Sequence, residues 1–349
     1  MKNILILAIM LIMVSCSNAS SDVSTTYEVM SGYSDIEVFF SNPTKITGEA
    51  YTYGPEMEMI RAIESARISI DMAIYSINLW DMRDALLDAN DRGVLVRIIT
   101  DSDNLSDDVI QELLDGGIKV LGDSKESLMH NKFIVIDRQD VWTGSMNYTV
   151  GSAYYDNNNL VHIHSIKLAM DYVSEFNEMF EMDMFGDDIM PFTPEPMVIV
   201  GGKLVEVYFS PDDGVSQIIV AQINRAQNSI VLLAYTLTSD KIGNAILDRF
   251  QEGITIVGIM DSGQAKGNQG SEFESFQKAG INLYLDESPG LMHHKVIIID
   301  NQIVITGSYN FSNNAEYEND ENILIIHDPK IADLFYDEYL NLLSIIEKK

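Results

Sequence analysis

The chain reads His130-Asn131-Lys132-Phe133-Ile134-Val135-Ile136-Asp137 in its first half and His293-His294-Lys295-Val296-Ile297-Ile298-Ile299-Asp300 in its second. In both stretches four apolar, mostly β-branched residues follow the lysine, which predicts a short buried strand. Alternate residues of a strand share a face, so each histidine points the same way as its lysine. After six more residues the two stretches continue as Gly144-Ser145-Met146-Asn147 and Gly307-Ser308-Tyr309-Asn310. The same motif therefore occurs twice in the chain, with identical spacing.

The repeat extends on both sides of these stretches. Upstream, residues 36–41 match 205–210, residues 69–76 match 229–236, and residues 94–102 match 254–262. The segments between the matched strands have apolar residues at helical spacing. This alternation predicts an α/β fold with two homologous α/β/α layered domains. Fused homologous units commonly pack about a pseudo-two-fold axis, so we expect one active site at their interface.

The same comparison divides the chain into five parts. Residues 1–16 are a predicted signal segment, and the small polar residues 17–33 are a flexible tether. The first domain spans 34–183 and the second spans 204–349. Between them lies a linker, 184–203, rich in glycine and proline.

The N-terminus has the pattern of an export signal. Lys2 precedes an apolar run from Ile4 to Val14, which is too short to span a bilayer but suits a secretory signal. Cys16, the only cysteine in the sequence, follows this run, so no intrachain disulfide is possible. The pattern resembles a bacterial lipoprotein signal, which implies lipidation of Cys16 and anchoring to the periplasmic or cell-surface face of a membrane. The alternative is ordinary signal cleavage nearby, with Cys16 removed or unmodified.

The charge balance restricts the partners. The chain has 53 acidic and 22 basic residues, a net charge of −31. Such a field repels nucleic acids and anionic membranes, so an anionic substrate needs locally basic surface. A solvated acidic shell that maintains solubility explains the same composition.

The twin motifs suit phosphodiester chemistry. Lysine and asparagine donors stabilise the charge of a five-coordinate phosphorus, while one imidazole attacks phosphorus and the other protonates the leaving alkoxide. The chain resembles the phospholipase D superfamily from about residue 34 to 345, and this resemblance implies a phosphohistidine intermediate without a metal or other cofactor. It also implies that His130 is the nucleophile and His293 the acid. The other residues that it places in catalysis are Lys132, Lys295, Asn147, Asn310, Ser145, Ser308 and Glu321.

The two halves differ at one position of this motif. In this family a carboxylate at the position of Glu321 orients a catalytic imidazole, whereas the first half has Asn158 there, with Asp156 as a possible substitute. The sequence leaves open whether Glu321 serves His293 in its own half or reaches across the axis to His130.

Other residues near the motifs have predicted structural roles. We expect Asp137 and Asp300 to tie the motif loops together, and Gly144 and Gly307 to allow tight turns. His294 is expected to point away from the catalytic face, and His164 and His327 to be structural. Tyr148, Tyr309 and Phe311 either shape a substrate channel or pack in the core. No group of residues has metal-binding spacing.

The motifs identify the bond that is attacked but not the molecule. A phospholipid hydrolase or transphosphatidylase acting at a membrane surface ranks first, because of the predicted anchor and the net charge. An exported nuclease acting on DNA or RNA ranks second, and a cardiolipin-type synthase third. A non-catalytic binding protein ranks last. We expect a monomer of two fused halves.

Overall fold

The computed structural model describes residues 35–43, 54–123, 125–188, 192–288 and 290–348. The predicted signal segment 1–16 with Cys16 and the tether 17–33 lie outside the described residues. Residues of both halves belong to the same compact unit.

The first half alternates strands and helices and ends in an antiparallel section. It begins with β1 (Ile36–Phe40), α1 (Glu56–Ser65), β2 (Ser69–Ile74), α2 (Trp80–Asp91), β3 (Leu95–Thr100), α3 (Asp108–Asp115) and β4 (Lys119–Gly122). It continues with β5 (Lys132–Ile136), β6 (Asp140–Gly144), α4 (Val150–Tyr154), β7 (Asn159–His164) and α5 (Ile166–Met182).

The second half repeats this order with two additions, the strand β8 (Met197–Val200) at its start and the short helix α8 after β11. It begins with β9 (Lys203–Ser210), α6 (Val215–Ile223), β10 (Ser229–Ala234), α7 (Asp240–Gln251), β11 (Thr255–Asp261), α8 (Ser262–Gly267), α9 (Phe273–Ala279) and β12 (Asn282–Asp286). It ends with β13 (Lys295–Ile299), β14 (Ile303–Gly307), α10 (Asn313–Tyr317), β15 (Glu321–Ile326) and α11 (Pro329–Ile346).

Each half builds one mixed sheet. In the described part of the chain the strand orders are β1-β7-β6-β5-β2-β3-β4 and β12-β11-β10-β13-β14-β15-β9-β8. Strands β2, β3 and β4 are parallel, as are β10, β11 and β12, and the remaining pairs are antiparallel. The motif strands β5 and β13 lie in the middle of their sheets and are buried along their whole length. The prediction of two buried motif strands is confirmed.

Three apolar cores hold the layers together. One lies between the two sheets and includes α5 and α11, with Tyr172 and Phe176 of the first half and Phe335 and Tyr339 of the second. The other two pack α1, α2 and α3 against the first sheet and α6, α7 and α9 against the second. The predicted α/β fold of two homologous layered halves is confirmed, and the helices α5 and α11 fill the space between the sheets.

The predicted linker contains more secondary structure than the sequence indicated. Residues 184–203 include β8, which pairs with β9 as an edge strand. In each half a second strand and a short helix follow the motif strand, β6 with α4 and β14 with α10. None of the described helices is both long and apolar enough to cross a membrane.

Candidate active site

Backbone hydrogen bonds between the halves bring the two motif histidines to one site. The amide of His130 donates to the carbonyl of Asp320 at 3.0 Å, and that of His293 donates to the carbonyl of Asn157 at 2.9 Å. The backbone of each histidine is therefore hydrogen-bonded to the segment just before a strand of the opposite half, β15 for His130 and β7 for His293. Both histidines are buried, with an exposed fraction of 7% for His130 and 6% for His293.

The imidazoles have different partners, and both partners come from the opposite half. Glu321 Oε2 lies 2.8 Å from Nδ1 of His130, and Asn158 Oδ1 lies 2.9 Å from Nδ1 of His293. The amide nitrogen of Asn158 donates to the carbonyl of Ser152 at 3.0 Å, so its oxygen faces His293. That oxygen requires an N–H at Nδ1 of His293, which leaves Nε2 as the atom that exchanges protons. Glu321 thus reaches across the axis, and Asn158 is its neutral counterpart.

The lysines lie beneath the histidines. Lys132 and Lys295 are 0% and 1% exposed, and each Nζ donates to the carbonyl of the histidine two residues earlier, at 2.7 and 2.8 Å. Once protonated, these two buried amino groups provide the local positive charge that an acidic protein needs to hold a phosphate.

Two tyrosines that the sequence analysis did not assign complete this layer. The ring of Tyr75 lies 5.1 Å from the His130 ring, and the ring of Tyr235 lies 4.7 Å from the His293 ring. The lysine Nζ atoms lie 5.3 and 4.8 Å from the same tyrosine rings. In the sequence, these tyrosines could have been identified only by their matching positions near the ends of the repeated segments 69–76 and 229–236.

The motif glycines are required by close packing. Gly144 and Gly307 have φ of 152° and 149°, and a Cβ on them would lie 2.4 Å and 2.2 Å from the carbonyl oxygens of Asn159 and Asn322. Only glycine fits this approach between adjacent strands. Their role is close contact between β6 and β7, and between β14 and β15, more than the tight turn that we expected.

The motif serines contact the partners of the histidines. Ser145 Oγ donates to Asn158 Oδ1 at 2.8 Å, and Ser308 donates a hydrogen bond to Glu321. Both serines are fully buried. The structure therefore places Ser145 and Ser308 as residues that orient the histidine partners.

Asn147 and Asn310 follow in the loops at the ends of β6 and β14. The side-chain oxygen of each is buried and accepts no hydrogen bond from the described protein. An amide oxygen accepts and cannot hold an ionised phosphoryl oxygen, so the contact of Asn147 and Asn310 with substrate through their amide N–H groups stays a prediction.

A second buried layer ties the halves together with matched asparagines. Asn322 accepts from Thr143 and donates to Asn131, and Asn159 accepts from Thr306 and contacts His294 Nδ1 at 3.0 Å. His294 is fully buried in this layer. Sequence reasoning missed Asn159 and Asn322, although both occupy the same position of the repeat.

Two aspartates at the ends of β3 and β11 support the motif loops. Asp101 Oδ2 accepts from the amide of Met129 at 3.2 Å, and Asp261 Oδ2 accepts from that of Met292 at 3.3 Å. Both carboxylates also act on the charges of the lysines behind these loops. In the sequence, only the matched pairs Asp101-Ser102 and Asp261-Ser262 of the repeat could have indicated these aspartates.

Burial dominates the protonation of the site. It lowers the pKa of His130 and His293 well below the usual value, and the charges of Lys132 and Lys295 lower both further. Burial lowers the pKa of Lys132 to about 7, and that of Lys295 also falls well below its ordinary value. Burial raises the pKa of Glu321 to about 8, opposed by the charge of Lys132. A bound anionic substrate raises the pKa of both lysines again, because its negative charge stabilises their protonated form.

The remaining predicted residues lie outside the reacting group. Asp137 accepts from the amides of residues 67–69, and Asp300 from those of 227–229, so they anchor the starts of β2 and β10 and not the motif loops themselves. Asp156 accepts from the amide of Leu291 and does not substitute for the acid at His293. The other aromatic and histidine positions are as follows: Tyr148, Tyr309 and Phe311 pack in the outer cores, His164 contacts Asp140, and His327 contacts Glu206.

The arrangement provides one imidazole with a carboxyl group behind it, a second imidazole held by a neutral amide, and two lysine amino groups below them. Among the described residues, no group of histidine, cysteine, aspartate or glutamate side chains is arranged to hold a metal ion. Imidazoles, lysines and a carboxyl group gathered in one buried site suit transfer at phosphorus.

Comparison with known proteins agrees with this chemistry. The family model described as "Cardiolipin synthase, PLD-like domain" matches residues 59–180 and 219–343. A phospholipase D of Rickettsia felis is 36% identical over 137 residues, which are 39% of this chain and 68% of the relative. The human mitochondrial cardiolipin hydrolase is 35% identical over 114 residues, which are 33% of this chain and 45% of the relative.

One solved structure resembles the whole two-domain arrangement. The phosphatidylserine synthase of Haemophilus influenzae superposes with a TM-score of 0.61 over 88% of this chain and 86% of that one. At 14% identity this likeness shows the fold alone.

Proposed function

The chain belongs to the phospholipase D-like family of phosphodiesterases, and we propose that it cleaves the head-group phosphodiester bond of phospholipids through a phosphohistidine on His130. The observation that carries the proposal is the contact between Glu321 and His130, which joins the two motifs into one asymmetric site. The relatives named phospholipase D support a phospholipid substrate. A net charge of −31 disfavours the alternative, a polynucleotide.

The partners of the two histidines suggest how they divide the reaction. Nε2 of His130 attacks phosphorus and forms an N–P bond as the bond from phosphorus to the leaving alcohol breaks. Glu321 stabilises the positive charge that develops on this imidazole. His293 gives the proton on its Nε2 to the leaving oxygen. The imidazolium of His293 is a strong acid because its partner, Asn158, is neutral and does not stabilise the positive charge. Water, or an alcohol in a transfer reaction, then gives its proton to His293 and displaces His130 from phosphorus.

The lysines and asparagines hold the phosphoryl oxygens during both steps. Lys132 and Lys295 lie buried below the histidines and provide positive charge in a water-poor site. Electrostatic stabilisation of the five-coordinate state is strongest in such surroundings. Asn147 and Asn310 add neutral donors from the two loops.

A comparison of substrates tests this function. Vesicles of phosphatidylcholine and of phosphatidylglycerol, single-stranded DNA and RNA are each incubated with the protein in EDTA, with His130→Ala as the blank. We expect release of head groups from lipid and intact nucleic acid. Cleavage of DNA or RNA with intact vesicles would establish the nuclease instead, and no cleavage of any substrate would indicate a binding protein. Addition of a primary alcohol distinguishes transfer from hydrolysis by the formation of a new phosphatidyl ester.

We also propose that the enzyme acts at a bacterial membrane to which Cys16 anchors it. The support is the position of Cys16 after the apolar run 4–14. Growth of cells with radioactive palmitate should label the wild-type protein and not Cys16→Ala. Equal labelling of the two would reject the anchor without touching the catalytic proposal.

A further inference from the structure

Two tyrosines lie at the ends of equivalent strands, beside the histidines of the active site. Tyr75 follows β2 and Tyr235 follows β10. The amide of Tyr75 donates to the carbonyl of Asn131 at 3.1 Å, and that of Tyr235 donates to the carbonyl of His294 at 2.7 Å. These acceptors are the middle residues of the two motifs. Each tyrosine is therefore fixed to the segment that carries one motif histidine and its lysine.

Each tyrosine ring adds a second restraint to one imidazole. The Tyr75 ring meets the His130 ring at 61° and the Tyr235 ring meets the His293 ring at 64°, with ring centres 5.1 and 4.7 Å apart. The hydrogen bond at Nδ1 fixes one atom of each imidazole, and the contact with the tyrosine restricts rotation of the imidazole plane. Nε2 is the atom that must align with phosphorus or with the leaving oxygen, so this restraint bears directly on the rate.

The same rings contact the buried lysines. Lys132 Nζ lies 5.3 Å from the centre of the Tyr75 ring, and Lys295 Nζ lies 4.8 Å from that of the Tyr235 ring. An ammonium at this distance is attracted by the face of an aromatic ring, more strongly where water is excluded. Burial lowers the pKa of Lys132 to about 7 and that of Lys295 well below its ordinary value. The rings therefore favour the charged form that burial disfavours.

Other charged groups also act on these lysines. The carboxyl groups that raise the lysine pKa values, as the rings do, are Glu321, Asp101, Asp156 and Asp261. The charge of Lys132 lowers the pKa of Lys295. Burial lowers the pKa of both neighbouring imidazoles, which are therefore neutral near pH 7. A substitution that changes the charge distribution of a ring but not its shape leaves these groups in place, so its effect reports the ring alone.

Packing in an apolar core does not explain the two tyrosines. Tyr148 and Tyr309 are buried members of the outer cores, whereas Tyr75 and Tyr235 are half-buried and belong to none of the three cores in the described part of the chain. Their hydroxyl groups differ. Gln264 donates to the Tyr235 hydroxyl at 3.1 Å, and no equivalent bond reaches the Tyr75 hydroxyl from the described residues. The two copies share the contacts of the ring.

We propose that Tyr75 and Tyr235 are positioning residues for phosphoryl transfer, whose rings each hold the plane of one imidazole and stabilise one lysine ammonium by a cation–π contact. The proposal rests on the two-histidine mechanism proposed above. It assigns the role to the aromatic ring and not to the hydroxyl. Each half then contributes one histidine, one lysine and one tyrosine as a unit to the shared site.

Anion affinity tests the contact with the lysine without any catalysis. Inorganic sulfate is titrated into the full-length protein at pH 6 and pH 8, comparing Tyr75→Phe with Tyr75→pentafluorophenylalanine, which has nearly the same shape but the opposite ring quadrupole. We expect Tyr75→Phe to bind as the wild type does. The fluorinated variant should bind about fivefold more weakly at pH 8, because fewer Lys132 side chains are charged before the anion arrives. At pH 6 the two variants should bind nearly equally, because Lys132 is already charged in both.

The same fluorinated residue at Tyr336, a partly exposed position of α11, is the matched control and should leave sulfate affinity unchanged. Equal affinity of the two Tyr75 variants at pH 8 overturns the contact with the lysine. Equal weakening at both pH values also overturns it, because that result assigns the loss to packing. Weak binding by Tyr75→Phe would place the role on the hydroxyl and reject the proposal.

Leaving groups of different basicity test the restraint on the imidazoles. At pH 6, Tyr235→Leu should slow the cleavage of phosphatidylglycerol about tenfold and that of bis(nitrophenyl) phosphate little, because a nitrophenolate leaves without a proton from His293. Tyr75→Leu should slow both reactions, because His130 attacks phosphorus in each. Phenylalanine at either position should restore the wild-type rates. Sulfate binding at pH 6 shows that the leucine variants are folded.

Wild-type rates of both leucine variants on both substrates would overturn the restraint, as would a loss of rate in the phenylalanine variants. Failure of the proposed function has a different result, namely cleavage of bis(nitrophenyl) phosphate but not of phosphatidylglycerol by the wild type. The lipid substrate is then rejected, while Tyr75→Leu on the nitrophenyl diester still decides the role of Tyr75.

Discussion

Glu321 in the second half holds the catalytic imidazole of His130 in the first half, with Oε2 2.8 Å from Nδ1. The equivalent contact in the other direction joins His293 to the amide of Asn158. The duplicated chain therefore keeps a two-fold arrangement of backbone and lysines but places a carboxylate behind only one histidine. This difference is the physical basis for assigning the two histidines separate roles.

Removal of the carboxylate charge should slow the attack of His130. At pH 9, above the value of about 8 to which burial raises the pKa of Glu321, we expect Glu321→Gln to lower kcat by about 100-fold or more with a smaller change in KM, because the charge matters most when the imidazole becomes cationic. Steady-state kinetics on the cleaved substrate measure this. Glu64→Gln is the matched control, since it makes the same change at an exposed position of α1. Wild-type kcat in Glu321→Gln would contradict the role of Glu321.

A carboxylate behind the second histidine should change the pH profile. Asn158→Asp places a negative charge beside His293 and raises the pKa of its imidazole. If His293 is the acid, the alkaline limb of kcat/KM should move to higher pH, because the protonated form persists longer. The profile is measured alongside Asn158→Ala, which removes the acceptor without adding charge. A shift in the acidic limb alone would assign the acid role to another group.

Anion binding should draw protons into the site. Burial lowers the pKa of Lys132 to about 7 and that of Lys295 well below its usual value, so part of their charge is absent from the free protein near neutral pH. A bound dianion raises both pKa values, and protons are taken up. Calorimetric titration with inorganic sulfate at pH 8 in buffers of different ionisation enthalpy should show net uptake. Lys132→Met should reduce it, and proton release by the wild type would contradict this account.

A buried acid between the halves should make stability fall as the pH rises. Glu175 of α5 is 4% exposed, and burial raises its pKa well above the usual value, as do the charges of Asp212 and Asp320. The folded state therefore binds a proton that the unfolded chain loses above about pH 4.3, and stability declines above that pH.

Replacement of this acid should remove the decline. Glu175→Gln is expected to unfold at higher urea concentration than the wild type at pH 8 and at nearly the same concentration at pH 4. The exposed Glu64→Gln should show no such difference between the two pH values. An equal effect of Glu175→Gln at both pH values would show that packing, and not ionisation, explains it.

Several features could be predicted from the sequence because they follow from local spacing. The apolar residues after Lys132 and Lys295 indicate buried strands, and β5 and β13 are those strands. Repetition of one unit indicates two homologous layers, which the sheets confirm. The strand β8 was missed because the glycines and prolines around it dominate the local pattern.

The sequence by itself determined that the chain carries two phosphodiesterase motifs, which chemical groups they contain and that a single carboxylate distinguishes them. Only the tertiary structure decided that Glu321 serves His130 and that Tyr75 and Tyr235 pack on the histidines. The reason is that periodicity and spacing report which residues share a strand or a face within one half. Contacts across the axis depend on how the two halves pack through α5, α11 and the paired asparagines, and no local pattern encodes that packing.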